Sequence, residues 1–476
     1  MHKLVLTALA AAILSACTVG PDYVRPEAAE PAAFAQSEPG ASIAPVSDAA
    51  FWTAFDDATL ARLVDETLTS NLDLTAALAR LDRANALLRN AKLDRYPTVR
   101  AQAGAADNRT SSADAPLTSR DERDAERYDV AATVSWELDL YGRVRRNVEA
   151  NRADTAAAES DLRALRIALA GETARTYVEL RGAQERLRVA RGNESNQAET
   201  LRLVQSQVDA GSASDFDSAR ASAQLEATRS RIPSLEAETA RAMHRLAVLT
   251  GREPGALLAE LSVAQPLPAV PASIDAGTPG DLLRRRPDVA AAEERLHAAT
   301  ARVGVATADL FPRFTLGGLL GSTALDTGDL FSRDTEARTV ALGIDWSFLD
   351  TGRVRARIAA ADADAEAALA GYRQSVLLAL EDVENALVTY GRARVEDAHL
   401  AQAAADSENA ARLARVRYDA GAVGLFEVLD AERTMLQSQD QLAAARTRTV
   451  ASAVRLYVSL AGGWSGPGPE KVAAAP

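Results

Sequence analysis

The chain is written twice, and that constrains its fold more than anything else in it. The run RLARVRYDAGAVGLFEVLDAER, Arg412–Arg433, has a weaker copy 210 residues earlier, VQSQVDAGSASDFDSARA. Asp209-Ala210-Gly211 matches Asp419-Ala420-Gly421, and Phe216 matches Phe426. In each copy a helical apolar pattern enters, glycine punctuates it (Gly211; Gly421 and Gly424), and a second helical pattern leaves, so each reads as a helical hairpin with a tight turn. The duplication extends beyond the hairpins. Leu72-Asp73-Leu74 pairs with Pro287-Asp288-Val289, and Tyr96-Pro97 with Phe311-Pro312, both at an offset of 215. Trp136 pairs with Trp346, and Gly142-Arg143-Val144-Arg145 with Gly352-Arg353-Val354-Arg355, at an offset of 210. A period that long is too large for a solenoid and implies duplication of a half-molecule, with the five-residue difference in a loop, where insertions are cheapest.

Each half reads helix, strand, strand, long helix, long helix. Helical pattern starts near Asp57, breaks at Ser70-Asn71, and stops at Tyr96-Pro97, since proline disfavours helix in the residue before it. Two strands follow within about 98–140, joined by a polar loop over Asn108–Arg127, with Val130, Ala132, Val134, Trp136 and Leu138 alternating against polar neighbours. A long helix then runs to about Val208. Gly171, Gly182 and Gly192 interrupt it, and 182–196 is polar enough to bend it; unbroken, it would be about 100 Å long. The returning helix reaches Leu249 with a kink expected near Ile232, before Pro233. The second half repeats this order, with a strand pair at about 313–349 in which Val340, Leu342, Ile344, Trp346 and Phe348 alternate cleanly. The expected divisions are 1–16 signal segment, 17–50 tether, 51–251 first repeat, 252–280 proline-rich linker, 281–463 second repeat and 464–476 tail.

Composition narrows what such a chain does. Aromatic residues are 5%, charged residues 25%, and Ala and Arg are abundant, a profile of long helices. A net charge of −13 leaves no basic face for nucleic acid. His244, His297 and His399 are far apart and read as solvated helix residues, and no metal, phosphate-loop or hydrolase motif is present. No cofactor and no enzyme activity are expected.

The N-terminus has Lys3 followed by an apolar stretch, Leu4–Leu14, shorter than the roughly 20 residues of a membrane-spanning helix. Leu14-Ser15-Ala16-Cys17 resembles a bacterial lipobox, so Cys17, the sole cysteine, is expected to carry lipid and become the first mature residue. Thr18 after it favours the outer membrane by resemblance to known sorting rules.

Four strands cannot close a barrel, because even small barrels need about eight. Their apolar face either packs on a helix of the same chain or joins strands of other copies in a membrane barrel. Trp136 and Trp346 read either as an interfacial aromatic belt or as buried sheet residues. The long helices, with narrow Ala/Leu/Val stripes, suit a hollow helical cylinder or a rod-like coiled coil.

At this point the residues identify a family. Cys17-Thr18-Val19-Gly20-Pro21-Asp22-Tyr23, Leu283-Arg284-Arg285-Arg286-Pro287-Asp288, Leu310-Phe311-Pro312 and the run containing Arg417-Tyr418, Gly421 and Leu429-Asp430-Ala431-Glu432-Arg433 occur in order. Together they resemble the outer-membrane factors of tripartite efflux pumps, the lipoprotein (OprM-like, NodT) branch of the TolC-like family. Glu432 departs from the family pattern, which often has Gln. The resemblance implies an α+β membrane protein and a homotrimer. Four strands per chain would contribute to a 12-stranded trimeric outer-membrane β-barrel, and mostly long α-helices would form a periplasmic α-barrel. It implies an exit duct for small molecules or drugs, working with a periplasmic adaptor and an inner-membrane pump of the RND type. The second hairpin is then the gate, with a ring of Asp430, an apolar ring of Phe426, and Arg417 and Tyr418 as a latch to a neighbouring hairpin. Asp430 could instead be a solvated helix residue and Phe426 plain packing. The first hairpin, with Asp209 and Gly211, is expected to be outer wall and adaptor seat, and adaptor tips would meet the turns at Gly211, Asp419, Gly421 and Gly424. A protein-secretion duct and, in another class, a non-pore periplasmic scaffold are the competing readings.

Overall fold

The computed structural model describes residues 18–27, 31–35, 51–271, 274 and 276–461. The chain divides into two compact units, Met1–Glu27 with Ala79–Glu159 and Ala291–Gln374, and Ala28–Leu78 with Ser160–Ala290 and Ser375–Pro476. The elements in order are α1 (Ala58–Ser70), α2 (Leu72–Leu93), β1 (Thr98–Arg109), β2 (Asp124–Leu138), α3 (Arg143–Asp209), α4 (Asp215–Arg229), α5 (Ile232–Leu249), α6 (Leu258–Leu261), α7 (Pro279–Arg285), α8 (Pro287–Ala308), β3 (Arg313–Ala324), β4 (Glu336–Asp345), α9 (Thr351–Asp419) and α10 (Leu425–Ser459). Bounds coincide at the offset of 210: α3 and α9 end at Asp209 and Asp419, and the returning helices start at Asp215 and Leu425.

In the first unit the strands form one antiparallel sheet in the order β1-β2-β3-β4, so the central pairing, β2 with β3, joins the two halves. Register puts the apolar residues on one face: Val99 opposes Val134, Trp136 opposes Leu316, and Leu316 opposes Leu342. The other face carries Arg100, Thr133, Ser135, Thr315 and Gly343. The apolar face is not covered by the described residues, since Val340 is 84%, Val99 67% and Ile344 63% exposed.

Two strand limits differ from the sequence pattern. The polar run expected to be loop is partly strand, because β1 and β2 pair to Arg109↔Asp124, where the two side chains form an ion pair. Cross-strand charge pairing extends the ladder into residues that alternation alone assigns to loop. Conversely β4 ends at Asp345, so Trp346 and Phe348 lie beyond it. The two tryptophans nevertheless do the same work: Trp136 Nε1 donates to Arg95 O and Trp346 Nε1 to Leu310 O, both at 3.0 Å. Each indole thus satisfies a carbonyl where the preceding helix gives way to a strand, a group a helix end would otherwise leave unpaired.

The second unit holds the main core, built from Phe51, Trp52, Phe55, Leu60 and Leu63 against Tyr177, Leu246, Val383, Leu456 and Tyr457. Asp57 caps α1 through the Leu60 N–H (2.9 Å) and accepts the Tyr177 hydroxyl (2.8 Å). Arg181, almost wholly buried, donates to Val263 O at 2.9 Å, and Gln184 to Leu261 O at 2.7 Å, which fastens the linker to α3. The arginine-rich motif before α8 has a comparable task. Arg286 forks onto Asp288 (2.6 Å), reaches Asp382 (3.3 Å) and donates to Ser459 O at the end of α10 (3.0 Å).

The helices bear on two expectations. α3 runs unbroken for 67 residues, so neither the glycines nor the polar stretch 182–196 interrupts it with a separate excursion. Gly182 instead permits close packing, since a Cβ there would collide with the Thr447 side chain. The interruption expected near Ile232 is where α4 ends at Arg229 and α5 restarts at Ile232; Ser230 and Arg231 between them keep helical dihedrals, and Pro233 lies in the first turn of α5, where a missing N–H costs nothing.

Candidate functional site

The two hairpins meet in the second unit. Each turn is built the same way. Gly211 (φ +72°) donates to Val208 O and Ser212 to Gln207 O, while Gly421 (φ +69°) donates to Tyr418 O and Ala422 to Arg417 O. This is the pairing in which a left-handed residue after the last helical turn recovers two orphaned carbonyls, and glycine enters that conformation without steric cost. Asp209 and Asp419 are the last residues of their helices and are exposed. The next helices start differently. Ser214 caps α4 in a reciprocal box with Asp217, whereas Gly424, the equivalent position before α10, offers no side-chain cap. The second turn therefore has the weaker start.

Across the hairpins, the Tyr418 hydroxyl donates to Gln207 Oε1 at 2.7 Å and Gln224 Nε2 donates to Leu429 O at 3.3 Å. Arg415 Nη2 donates to Thr200 Oγ1 at 3.1 Å. Tyr418 thus ties its hairpin to the other hairpin of the same chain. Arg417 is exposed and its side chain makes no ion pair among the described residues. The helical period explains the split: positions 415 and 418 share the face of α9 turned to α3, and 417 is about 100° away from 418.

Asp430 lines a groove of about 540 Å³ together with Gln197, Arg220, Gln224, Phe426 and Arg433. Its carboxylate accepts from Arg433 Nη2 at 2.6 Å, one turn along α10. An aspartate ring would therefore not be bare, because each carboxylate arrives with its own countercharge. Phe426 is 55% exposed, and the Arg220 guanidinium sits over its ring at 4.5 Å from the centroid.

Two residues here are given no role by the sequence reading. Arg220 stands at the position equivalent to Asp430, 210 residues earlier, so only a side-by-side reading of the two copies points to it. Glu432 is the other. It is 7% exposed, its Oε2 is buried without a partner among the described residues, and Arg415 lies 3.8 Å from Oε1. Burial pushes its carboxyl above the usual range, and Arg415 only partly opposes this.

Cys17 lies outside the described residues, as do the signal segment, most of the tether and the tail. The segment after Cys17 is placed. Val19 N–H bonds to Tyr141 O at 3.2 Å, Thr18 lies against Gly142, Asp22 accepts from Arg146 at 2.5 Å, and Tyr23 stacks on His297 at 4.5 Å. His297 also meets Glu149 at 3.0 Å, so it is a packing residue of this clasp. Among the described residues there is no cluster of His, Cys, Asp and Glu able to hold a metal, and no helix is long and apolar enough to cross a membrane.

Residues 63–252 and 278–462 match the family described as Outer membrane efflux protein. The chain is similar to Nodulation protein T of Rhizobium leguminosarum bv. trifolii, with 32% identity over 94% of each sequence. It is likewise similar to outer membrane protein OprJ of Pseudomonas aeruginosa, with 32% identity over 96% of this chain and 95% of that protein. Among solved structures, the outer-membrane channel OprN superposes with a TM-score of 0.87 at 42% identity, covering 94% of this chain and all of the other.

Proposed function

The chain belongs to the outer membrane efflux protein family, and on that premise we propose how it builds and gates its pore. It is an outer-membrane channel, the exit duct of a tripartite efflux pump, and works with an adaptor and an inner-membrane pump. Our reading is that three copies close a 12-stranded barrel and that the α9–α10 hairpins form its aperture. The observation that carries this is the four-stranded sheet: among the described residues one face is apolar and uncovered, and β1 and β4 are both edges. An apolar outer face, a polar inner face and edges that require partners are what a lipid-embedded barrel demands.

The duct is passive in this reading and performs no chemistry, with energy and substrate choice left to a pump of the RND type. Cys17 carries lipid. The clasp of residues 18–23 supports this, since it would hold the lipid where β2 passes into α3. Asp430 and Phe426 narrow the gate, and the tied arrangement of the hairpins is the shut one. Arg417, free of ion pairs among the described residues, faces a neighbouring copy. The exposed turns at Gly211 and Gly421 meet the adaptor. Trp136 and Trp346 mark the membrane interface while fixing the helix-to-strand junctions.

Purified full-length protein should run as a heat-resistant trimer in detergent and give discrete conductance in planar bilayers. Asp430→Ala, alone or with Arg417→Ala, should raise that conductance. A monomer without channel activity would overturn the pore reading, and unchanged conductance in both variants would remove Asp430 from the gate.

A further inference from the structure

Phe216 and Phe426 occupy equivalent places at the start of the two returning helices, and both rings are more than half exposed. One turn beyond them the repeat changes sign, Arg220 in the first copy and Asp430 in the second. The structure uses that difference. The Arg220 guanidinium lies 5.6 Å from the Phe216 ring centroid and 4.5 Å from that of Phe426, so one cation contacts both phenyl rings and spans both hairpins. It forms no ion pair among the described residues. Asp430, which lines the same groove, is taken instead by Arg433. An arginine over aromatic rings is held by the ring quadrupole and needs no carboxylate. Asp217, one turn earlier on α4, feels the Arg220 charge but forms no direct ion pair with it, so the contacts that join Arg220 to the second hairpin are those with the rings.

We infer that Arg220 is a positioning residue for channel closure, a cationic clasp that seats Phe426 of the gate hairpin against Phe216 of the first. The inference rests on the gate reading above. The clasp differs in kind from the Tyr418–Gln207 and Gln224–Leu429 ties, because its strength depends on a cation and a π face rather than on hydrogen-bond geometry. It also assigns the first hairpin a share in gating that the sequence motif gives only to the second.

The test uses the full-length lipoprotein in planar bilayers with four variants: Arg220→Gln, Arg220→Lys, Phe426→Leu and the double variant Arg220→Gln/Phe426→Leu. Leucine keeps apolar bulk but removes the π face. Arg220→Gln should shift closure about two- to fivefold per chain, the range of one exposed cation–π contact, and so raise open probability roughly ten- to a hundredfold if three copies release together. Arg220→Lys should retain most of the closure, and the double variant should open no further than Phe426→Leu alone. Retention of the heat-resistant trimer shows that each variant is folded. If Phe426→Leu opens the channel while Arg220→Gln behaves as wild type, or if the two effects multiply in the double variant, the clasp is wrong. If Phe426→Leu and Asp430→Ala both leave the channel unchanged, the gate reading itself fails, a different result from either of those.

Discussion

Tyr418→Phe isolates one tie between the hairpins. It removes a single oxygen, leaves the ring in place, and breaks the 2.7 Å bond to Gln207 Oε1. A neutral, partly buried hydrogen bond contributes about 0.5–1.5 kcal/mol net. Gln207 is only half-buried, so water can reach the freed carbonyl and the loss should stay near the lower half of that range. Per chain this shifts the tied-to-untied equilibrium by about two- to fivefold. If three copies release together the energies add, giving about 1.5–3 kcal/mol, or roughly ten- to a hundredfold in open probability. Single-channel recording measures this directly, and sensitivity of cells to a large antibiotic normally kept out reports it in vivo. Gln207→Ala should act equally, and the double variant should do no more than either single one. Unchanged opening in Tyr418→Phe, or additive effects in the double variant, would refute the tie.

Two further outcomes follow from the charged groups. Glu432 takes up a proton more readily in the packed hairpin than when exposed, so packing is fully supported below the unfolded carboxyl value of about 4.3 and weakens as pH rises through the raised one. Open probability should therefore climb with pH above about 4.3, and Glu432→Gln should flatten that climb; an identical pH profile in the variant would exclude it. Arg286→Met strands Asp288 and Asp382 and frees Ser459 O. Because those carboxylates are 45% and 51% exposed, the loss should be about 2 kcal/mol, below the 3–5 typical of a broken buried pair. Burial opposes charge on Asp288, but the Arg286 fork outweighs it and holds the carboxyl below its usual range. That part of the stability is present above about pH 3.9 and lost in stronger acid, and denaturation of the variant should lack this acid dependence.

What the sequence made legible was periodicity and punctuation. Alternation at Val130–Leu138 and Val340–Ile344 is a direct imprint of a two-faced strand, and glycine at 211 and 421 is an imprint of a left-handed turn, so both lie where the pattern puts them. Glycine inside a helix is ambiguous in sequence. At Gly182 it marks close approach of Thr447, and no local rule separates that from a break. The extension of β1 to Arg109 depends on a partner in the other strand, which alternation within one strand does not encode. The same applies to the site. Asp430 and Phe426 stand in a recognisable run, whereas Arg220, Gln207 and Gln224 belong to the first hairpin and gain meaning only when the two hairpins are placed side by side.

The central claim is that the uncovered sheet face meets lipid while its opposite face lines a pore. Neighbouring positions on β4 test it, because Thr339 and Val340 point to opposite faces. With Cys17 the sole native cysteine, Thr339→Cys and Val340→Cys each offer one new thiol. A charged, membrane-impermeant thiol reagent added during bilayer recording should change the conductance of Thr339→Cys and leave that of Val340→Cys unaltered. Equal response at both positions, or block at Val340→Cys alone, would contradict the account.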